Sequence, residues 1–580
     1  MGKEIIREEL WGHPKGLYVL FFTEMWERFS YYGMRALLVL FLVADISDPD
    51  NPGFGWSEKE AYSLFGWYTM MVYVCAILGG ILADKFIGRK KSVVLGGFIL
   101  ILGHSILAFP GMFTFYTGII LIILGVGALK PNISTIVGEL YSANDKRRDE
   151  GFVIFYIGIN AGAFLSGLII GVIGETYGWH YGFGLAGIGM FFGQLVFMLG
   201  RKHLIGVGEK PNLEDDNSSS LGDLLSRLIK SGKGLGLTVS IATISSVLAY
   251  FYATGNDKIG YALLGTFYGV IGGVLFMIYR EINKIEKDRF VVLLLCFFIS
   301  IIFWGAFEQS GALINIYTNN KIDRTLSLWI IDLIFIGGGL WLLFSAIMRH
   351  IKKIDTSIIF YGLSALVFVI YGLLRTFEFT HPYEVKTTVF QSVNSFFIMI
   401  FGTASVSLWV WIRKKGWEYS AIFKMAVGTI ILGIGFSFMT IAAKETVITE
   451  NGLANVSWLI LAYLFWTIGE LFISPVTLSF VTKVAPVKYV SILMGVYFAI
   501  TGLGNKLAGV IGEISTEMVE SSVSEGVKIG LSEVEATANA HSALFMYILA
   551  GCIGFSMLII VFLKKLKSLT HGAEELVDAD

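Results

Sequence analysis

Apolar residues along this chain come in runs of about twenty, separated by short polar stretches. A helix of that length matches the hydrocarbon thickness of a bilayer. The pattern predicts membrane-spanning helices at 17–44, 57–83, 92–110, 113–140, 151–175, 182–200, 235–253, 260–279, 290–317, 326–348, 357–377, 388–411, 421–441, 456–482, 489–514 and 541–563, sixteen in all. One stretch breaks the rhythm. Residues 201–234 are polar and contain Glu214-Asp215-Asp216-Asn217-Ser218-Ser219-Ser220, the composition of a linker that divides the chain in two.

Composition agrees with this pattern. Hydrophobic residues make up 55% of the chain, charged ones 15%, and glycine occurs 67 times, with a mean hydropathy of +0.70. These values describe an all-α polytopic membrane protein in contact with lipid, not a soluble domain. The net charge of −1 is no basis for a nucleic-acid partner. Most of the 44 Lys and Arg fall on one side if the N-terminus is cytoplasmic, including the clusters Lys85 to Lys91, Lys146 to Arg148, Arg349 to Lys353 and Arg413 to Lys415. That asymmetry predicts cytoplasmic N- and C-termini. The charged N-terminus is followed by a span too long and too polar for a cleaved signal, so it is expected to stay as the first helix. Cys75, Cys296 and Cys552 all sit in apolar spans without paired spacing, which argues against disulfide or metal roles.

The first span departs most from its surroundings. It carries Glu24, Glu27, Arg28, Tyr31 and Arg35 at steps of three, four, seven and eleven, one stripe roughly 100° wide on a helix. Intramembrane charges are costly and mark functional sites. Glu–Arg docking of two helices is the plainer reading, but it needs no such cluster. Carboxylates, guanidinium groups and phenols on one face suit a cavity that binds a zwitterion and moves protons. No nucleophile, metal or cofactor constellation accompanies them, so an enzyme is not expected.

The stretch Glu24-Met25-Trp26-Glu27-Arg28-Phe29-Ser30-Tyr31-Tyr32-Gly33 resembles the signature of the proton-dependent oligopeptide transporters, a branch of the major facilitator superfamily. Other stretches agree in the family's order. They are Gly79-Gly80-Ile81-Leu82-Ala83-Asp84 with Gly88-Arg89, Gly127-Ala128-Leu129-Lys130-Pro131-Asn132, Phe155-Tyr156 with Ile159-Asn160, Phe307-Glu308-Gln309, Gln391-Ser392-Val393-Asn394, and Gly469-Glu470-Leu471-Phe472-Ile473-Ser474-Pro475. The resemblance implies a major facilitator fold, two six-helix bundles around a central cavity with alternating access, plus the extra helix pair of bacterial members. The expected divisions are a first bundle at 1–200, a cytoplasmic linker and extra pair at 201–289, the first helix of the second bundle at 290–325, an inserted second pair at 326–387, and the rest of that bundle with a cytoplasmic tail at 388–580. The second pair is a departure, because Asn394 stands 86 residues beyond Glu308 where the family has a short loop. It is expected to pack outside the bundle. Tyr497 is another departure, at a position where a Trp is common.

The implied function is a proton-coupled symporter importing di- and tripeptides, with protons as the coupling ion, no cofactor, lipid as surroundings, a bacterial inner membrane as location and a monomer as working unit. Alternatives are the same fold carrying another solute (an organic anion, nitrate or a drug), and a membrane sensor or scaffold. The cavity set of Glu24, Glu27, Arg28, Arg35, Lys130, Glu308 and Glu470 has four carboxylates against three cations, an excess that favours uptake of a proton. By resemblance Glu308 is the proton site paired with Arg35, with Glu24, Glu27 and Arg28 sharing in the coupling, and Lys130 pairs with Glu470 across the bundles. A peptide's carboxylate would fall to Arg28 and Lys130, and its ammonium to Glu470, Asn160 and Asn394. Tyr31, Tyr32, Tyr73, Ser474 and Tyr497 would line side-chain pockets, although each tyrosine alone also suits a packed core and each Asn a helix-to-helix hydrogen bond. Asp84 and Arg89 read as a gating or packing element at a cytoplasmic turn, and His104 as a packed or partner-bonded residue. Lys506, Arg375 and Asp332 read as snorkelling or capping residues near helix ends.

Overall fold

The computed structural model describes residues 8–573 apart from 143–144, 146, 210–231, 254–256, 327, 352–359, 366, 369–382 and 416–418. A long helix stands at fifteen of the sixteen expected positions; the other run, 357–377, and the Glu214 to Ser220 linker lie largely or wholly outside the described residues, as does Arg375. Twelve helices among the described residues are long and apolar enough to cross a membrane. The chain is a multi-pass membrane protein with the major facilitator fold. Its first helix is not among the twelve, because the ionisable stripe lowers its hydropathy.

The first bundle contains α1 (Lys15–Val43), α2 (Glu58–Leu82), α3 (Arg89–Leu107), α4 (Met112–Glu139), α5 (Arg148–Ser166) and α6 (Trp179–Gly200). Helix α5 continues through a π-helical turn, Gly167–Gly171, into Val172–Tyr177. Then come α7 (Gly232–Tyr252) and α8 (Lys258–Glu281), packed on each other. The second bundle opens with α9 (Lys284–Phe307), which breaks at the 3₁₀ turn Glu308–Gly311 and resumes as Leu313–Lys321. Helix α10 (Leu328–Ile351) belongs to the inserted segment, and the bundle is completed by α11 (Gln391–Lys414), α12 (Ala421–Glu445), α13 (Val456–Val484), α14 (Val490–Lys528) and α15 (Glu533–Val561).

Helix starts follow from side chains that satisfy the free N–H groups of a first turn. Ser57 and Glu60 form a capping box at α2, Asn283 and Glu286 at α9, and Ser532 and Glu535 at α15. Packing inside the first bundle depends on close backbone approach. Pro131 has no N–H to give to the Gly127 carbonyl one turn earlier in α4, and that carbonyl lies directly against Gly79 of α2. A Cβ at Gly79 has no room there. Gly79→Ala is expected to separate α2 from α4 and lower thermal stability by about 1–3 kcal/mol; a melting temperature equal to wild type would contradict this.

The two bundles meet where α2 faces α14 and α5 faces α11. Small residues line the first contact. A Cβ at Gly66 would stand 3.0 Å from the Cα of Gly509, and one at Gly512 would press on the Tyr62 ring. Helix α8 joins the same seam, its Tyr268 hydroxyl donating to the Ala499 carbonyl at 2.7 Å.

The reading of Lys506 is corrected here. It lies inside α14, not near its end, because the helix runs on as a polar extension to Lys528. Its side chain is 2% exposed and pairs with Glu513 at 3.2 Å. The ammonium also stands over the rings of Trp67 at 4.8 Å and Tyr261 at 5.1 Å, so it cannot snorkel. The same extension carries Glu517, which pairs with Lys59 of α2. His104 is fully buried, and among the described residues neither ring nitrogen has a hydrogen-bond partner.

Candidate functional site

A central cavity of roughly 140 Å³ lies between the bundles. From α1 it is lined by Tyr31, Tyr32 and Arg35, from α2 by Tyr73, from α4 by Lys130 and from α5 by Tyr156 and Asn160. The second bundle contributes Trp304, Glu308, Gln391, Asn394, Tyr463, Glu470 and Asn505.

The stripe on α1 divides into two levels. Glu24, Glu27 and Arg28 are almost wholly buried and held together, with Arg28 Nε 2.8 Å from Glu24 Oε1 and 2.7 Å from Glu27 Oε2. None of the three lines the cavity in this conformation. Arg28 stacks under the Tyr31 ring at 5.7 Å, and among the described residues neither its Nη2 nor Glu24 Oε2 has a hydrogen-bond partner. Two turns further along, Arg35 reaches the second bundle.

Arg35 Nη2 meets Glu308 Oε2 at 2.5 Å, with side chains 10% and 6% exposed. The guanidinium also stands over the rings of Tyr32 and Phe65, which offsets part of its desolvation. Glu308 is aimed by the break in α9. Gln309 donates to the carbonyls of Gly305 at 2.9 Å and Ala508 at 3.0 Å, which fixes the 3₁₀ turn. Gly311 leaves space that Arg35 fills. Asn315, just beyond, donates to the Ala36 carbonyl of α1 at 3.0 Å. One ion pair and one hydrogen bond therefore join α1 to the α9 segment.

On opposite walls stand Lys130 and Glu470. The Lys130 ammonium lies 4.1 Å from the centre of the Tyr73 ring. Glu470 Oε2 accepts from Asn394 Nδ2 at 3.0 Å, and the same amide donates to Thr467. Among the described residues no ion pair joins Lys130 to Glu470, so the expected bridge is not made in this conformation. Each charge is held by its own bundle. Asn160 donates along its own helix to the Tyr156 carbonyl at 3.0 Å, while Asn394 links α11 to α13.

The other expected residues lie off the cavity. Tyr497 is 5% exposed, packed against Phe297 and Phe498. Ser474 has a buried hydroxyl without a hydrogen-bond partner among the described residues. Asp84 and Arg89 pair at 2.9 Å at the α2–α3 turn, where Arg89 also binds Glu139 and Glu139 accepts from the Gly208 amide. That cluster ties three segments at the N-terminal side of the bundle. The described part of the inserted segment contributes nothing to the cavity lining.

Tyr156, Trp304, Gln391, Tyr463 and Asn505 were not expected at the site. Helical spacing carried a signal for some of them. Tyr156 stands one turn before Asn160, Trp304 one turn before Glu308, and Tyr463 two turns before Glu470.

Known proteins are similar to this chain along nearly its whole length. The family model described as PTR2, POT family, matches residues 90–333 and 358–529. YclF of Bacillus subtilis, an uncharacterized transporter, is 32% identical over 522 residues, covering 89% of this chain and 92% of that protein. A di-/tripeptide transporter of Lactococcus lactis is 31% identical over 495 residues, covering 84% and 86%. The crystal structure of a POT family transporter in complex with a thioalcohol-conjugated peptide superposes with a TM-score of 0.69 at 28% identity, covering 96% of this chain and 97% of that one. The paired charges between two bundles, the motif order and these matches agree that the chain belongs to the POT family.

Proposed function

We propose that this protein is a proton-coupled symporter that imports di- and tripeptides by alternating access. The observation that carries the reading is the Arg35–Glu308 pair, which bridges the bundles at the wall of a cavity holding Lys130 on one side and Glu470 with Asn394 on the other. A short peptide has a carboxylate, an ammonium and an amide between them. Lys130 at the cavity wall and Arg28 beneath it, whose Nη2 has no hydrogen-bond partner among the described residues, supply charge for the first, and Glu470 and Asn394 for the second. Tyr31, Tyr32 and Tyr73 provide walls that tolerate varied side chains. The similarity to a di-/tripeptide transporter and to a peptide-bound POT structure supports the same substrate class.

Protonation of Glu308 removes half of the bridge to Arg35, and a bound carboxylate competes for the cations. Proton and peptide thus weaken contacts between bundles together, which is the requirement for symport. Glu24, Glu27 and Arg28 form a second reservoir for the coupling proton. The protein works as a monomer in the inner membrane with both termini cytoplasmic, and it needs no cofactor.

The test is uptake of labelled dialanine into proteoliposomes under an inward proton gradient, with and without a protonophore. Concentrative uptake that collapses with the protonophore is expected. Folded protein that transports no dipeptide would overturn the substrate assignment.

A further inference from the structure

Another cross-bundle contact lies at the end of the molecule away from the N-terminus, where α5 ends and α11 begins. The 3₁₀ turn Thr387–Phe390 that opens α11 has no capping side chain of its own. Glu175 of the first bundle fills that role. Its Oε2 accepts from the Thr387 amide at 3.1 Å, and its Oε1 accepts from the Thr388 amide at 2.7 Å and the Thr388 hydroxyl at 2.6 Å. A carboxylate at a helix start is favoured by the free N–H groups and the helix dipole. Here it comes from the opposite bundle.

The contact is anchored on both sides, and it shares this end of the seam with the Lys59–Glu517 pair and with the Ser392 hydroxyl, which donates to the Phe164 carbonyl of α5 at 2.7 Å. Thr387 is fixed to the second bundle by Asn319 at 3.0 Å and Arg324 at 2.8 Å. On the other side, Asn51 donates to the Gly174 carbonyl next to Glu175 at 2.9 Å, anchoring that turn within the first bundle. Between the two, the π-turn presents Gly171 against the Thr388 hydroxyl and Gly167 against Ser392, surfaces without side chains.

We propose that Glu175 is an outward-side latch, a positioning residue whose carboxylate holds the bundles closed at this end and whose release lets the cavity open there. The idea rests on the alternating-access reading, although its readout does not depend on the substrate. Loss of the carboxylate removes three hydrogen bonds made in the closed state and absent in the open one. The closed-to-open ratio is expected to fall roughly tenfold.

The experiment uses the full-length protein in lipid nanodiscs, spin-labelled at Ile46→Cys and Ile448→Cys. These exposed positions, 68% and 82% accessible, sit on the two bundles at this same end. Double electron–electron resonance gives the distance distribution for the parent, Glu175→Ala, Thr388→Val and Glu175→Asp. A longer-distance population that grows in Glu175→Ala, grows less in Thr388→Val and returns toward the parent in Glu175→Asp is the expected result. A static cap would lower the melting temperature and leave the distances unchanged, which overturns the proposal. Should Glu175→Ala fail to fold, Thr388→Val decides alone, since it removes one bond and keeps the side-chain shape. Failure to transport peptides would leave this readout intact, so the two ideas fall separately.

Discussion

Glu308→Gln is expected to abolish accumulation of peptide while leaving downhill exchange of peptide across the membrane intact. Gln keeps the shape of Glu308 and mimics its protonated form, so Arg35 loses a charge 2.5 Å away. Arg35 still has the rings of Tyr32 and Phe65, so the variant is expected to fold. What it lacks is the ability to exchange a proton at the bridge. One charge moved through 100 mV is worth about 2.3 kcal/mol, an accumulation of roughly 50-fold. Wild-type protein is expected to approach that ratio for each net charge carried inward, and the variant to stop near equal concentrations inside and out. Counterflow of labelled for unlabelled dialanine, which needs no net proton movement, is expected to persist. A Glu308→Gln protein that still concentrates dialanine would move the proton site elsewhere.

Arg28→Met is expected to do more damage than any cavity substitution. The guanidinium lies within 2.8 Å of both Glu24 and Glu27, and all three side chains are buried in α1. Removal leaves two carboxylates facing each other without a counter-ion, and breaking a buried pair in this way costs about 3–5 kcal/mol. Marginal stability makes that a large fraction of the whole. Folded protein recovered in detergent is expected to fall sharply. Adding Glu24→Gln and Glu27→Gln to Arg28→Met removes the buried charge altogether and is expected to recover most of the melting temperature, without restoring transport. If the single variant melts like wild type, the cluster is not the electrostatic unit described above.

Positions of helices were legible in the sequence because a bilayer demands about twenty apolar residues and little else. Chemistry on one helix was legible for the same reason, as with the stripe from Glu24 to Arg35. Depth along that helix was not. Only packing decides that Arg35 faces the cavity while Arg28 lies below it. Lys506 was misread because the apolar run ends near residue 514 while the helix continues to Lys528, and hydropathy marks where the membrane ends rather than where the helix does. Lys130 and Glu470 could be named, yet their partners Tyr73 and Asn394 come from elements brought together by the fold. Glu175 gave no signal at all. It looks like an ordinary acid at the end of a predicted span until Thr388, more than two hundred residues later, is placed against it.

The contact of Gly66 with Gly509, seen first as a matter of close packing, also bears on how fast such a molecule can turn over. Interlocked side chains would have to disengage each time the bundles rock, and every rotamer change would add to the barrier. A smooth face of backbone against backbone behaves more like a bearing. The choice between tilts then passes to a handful of polar contacts at the ends and at the centre. A lineage could retune transport rate or driving-force dependence by changing those few residues, with the bearing itself left untouched.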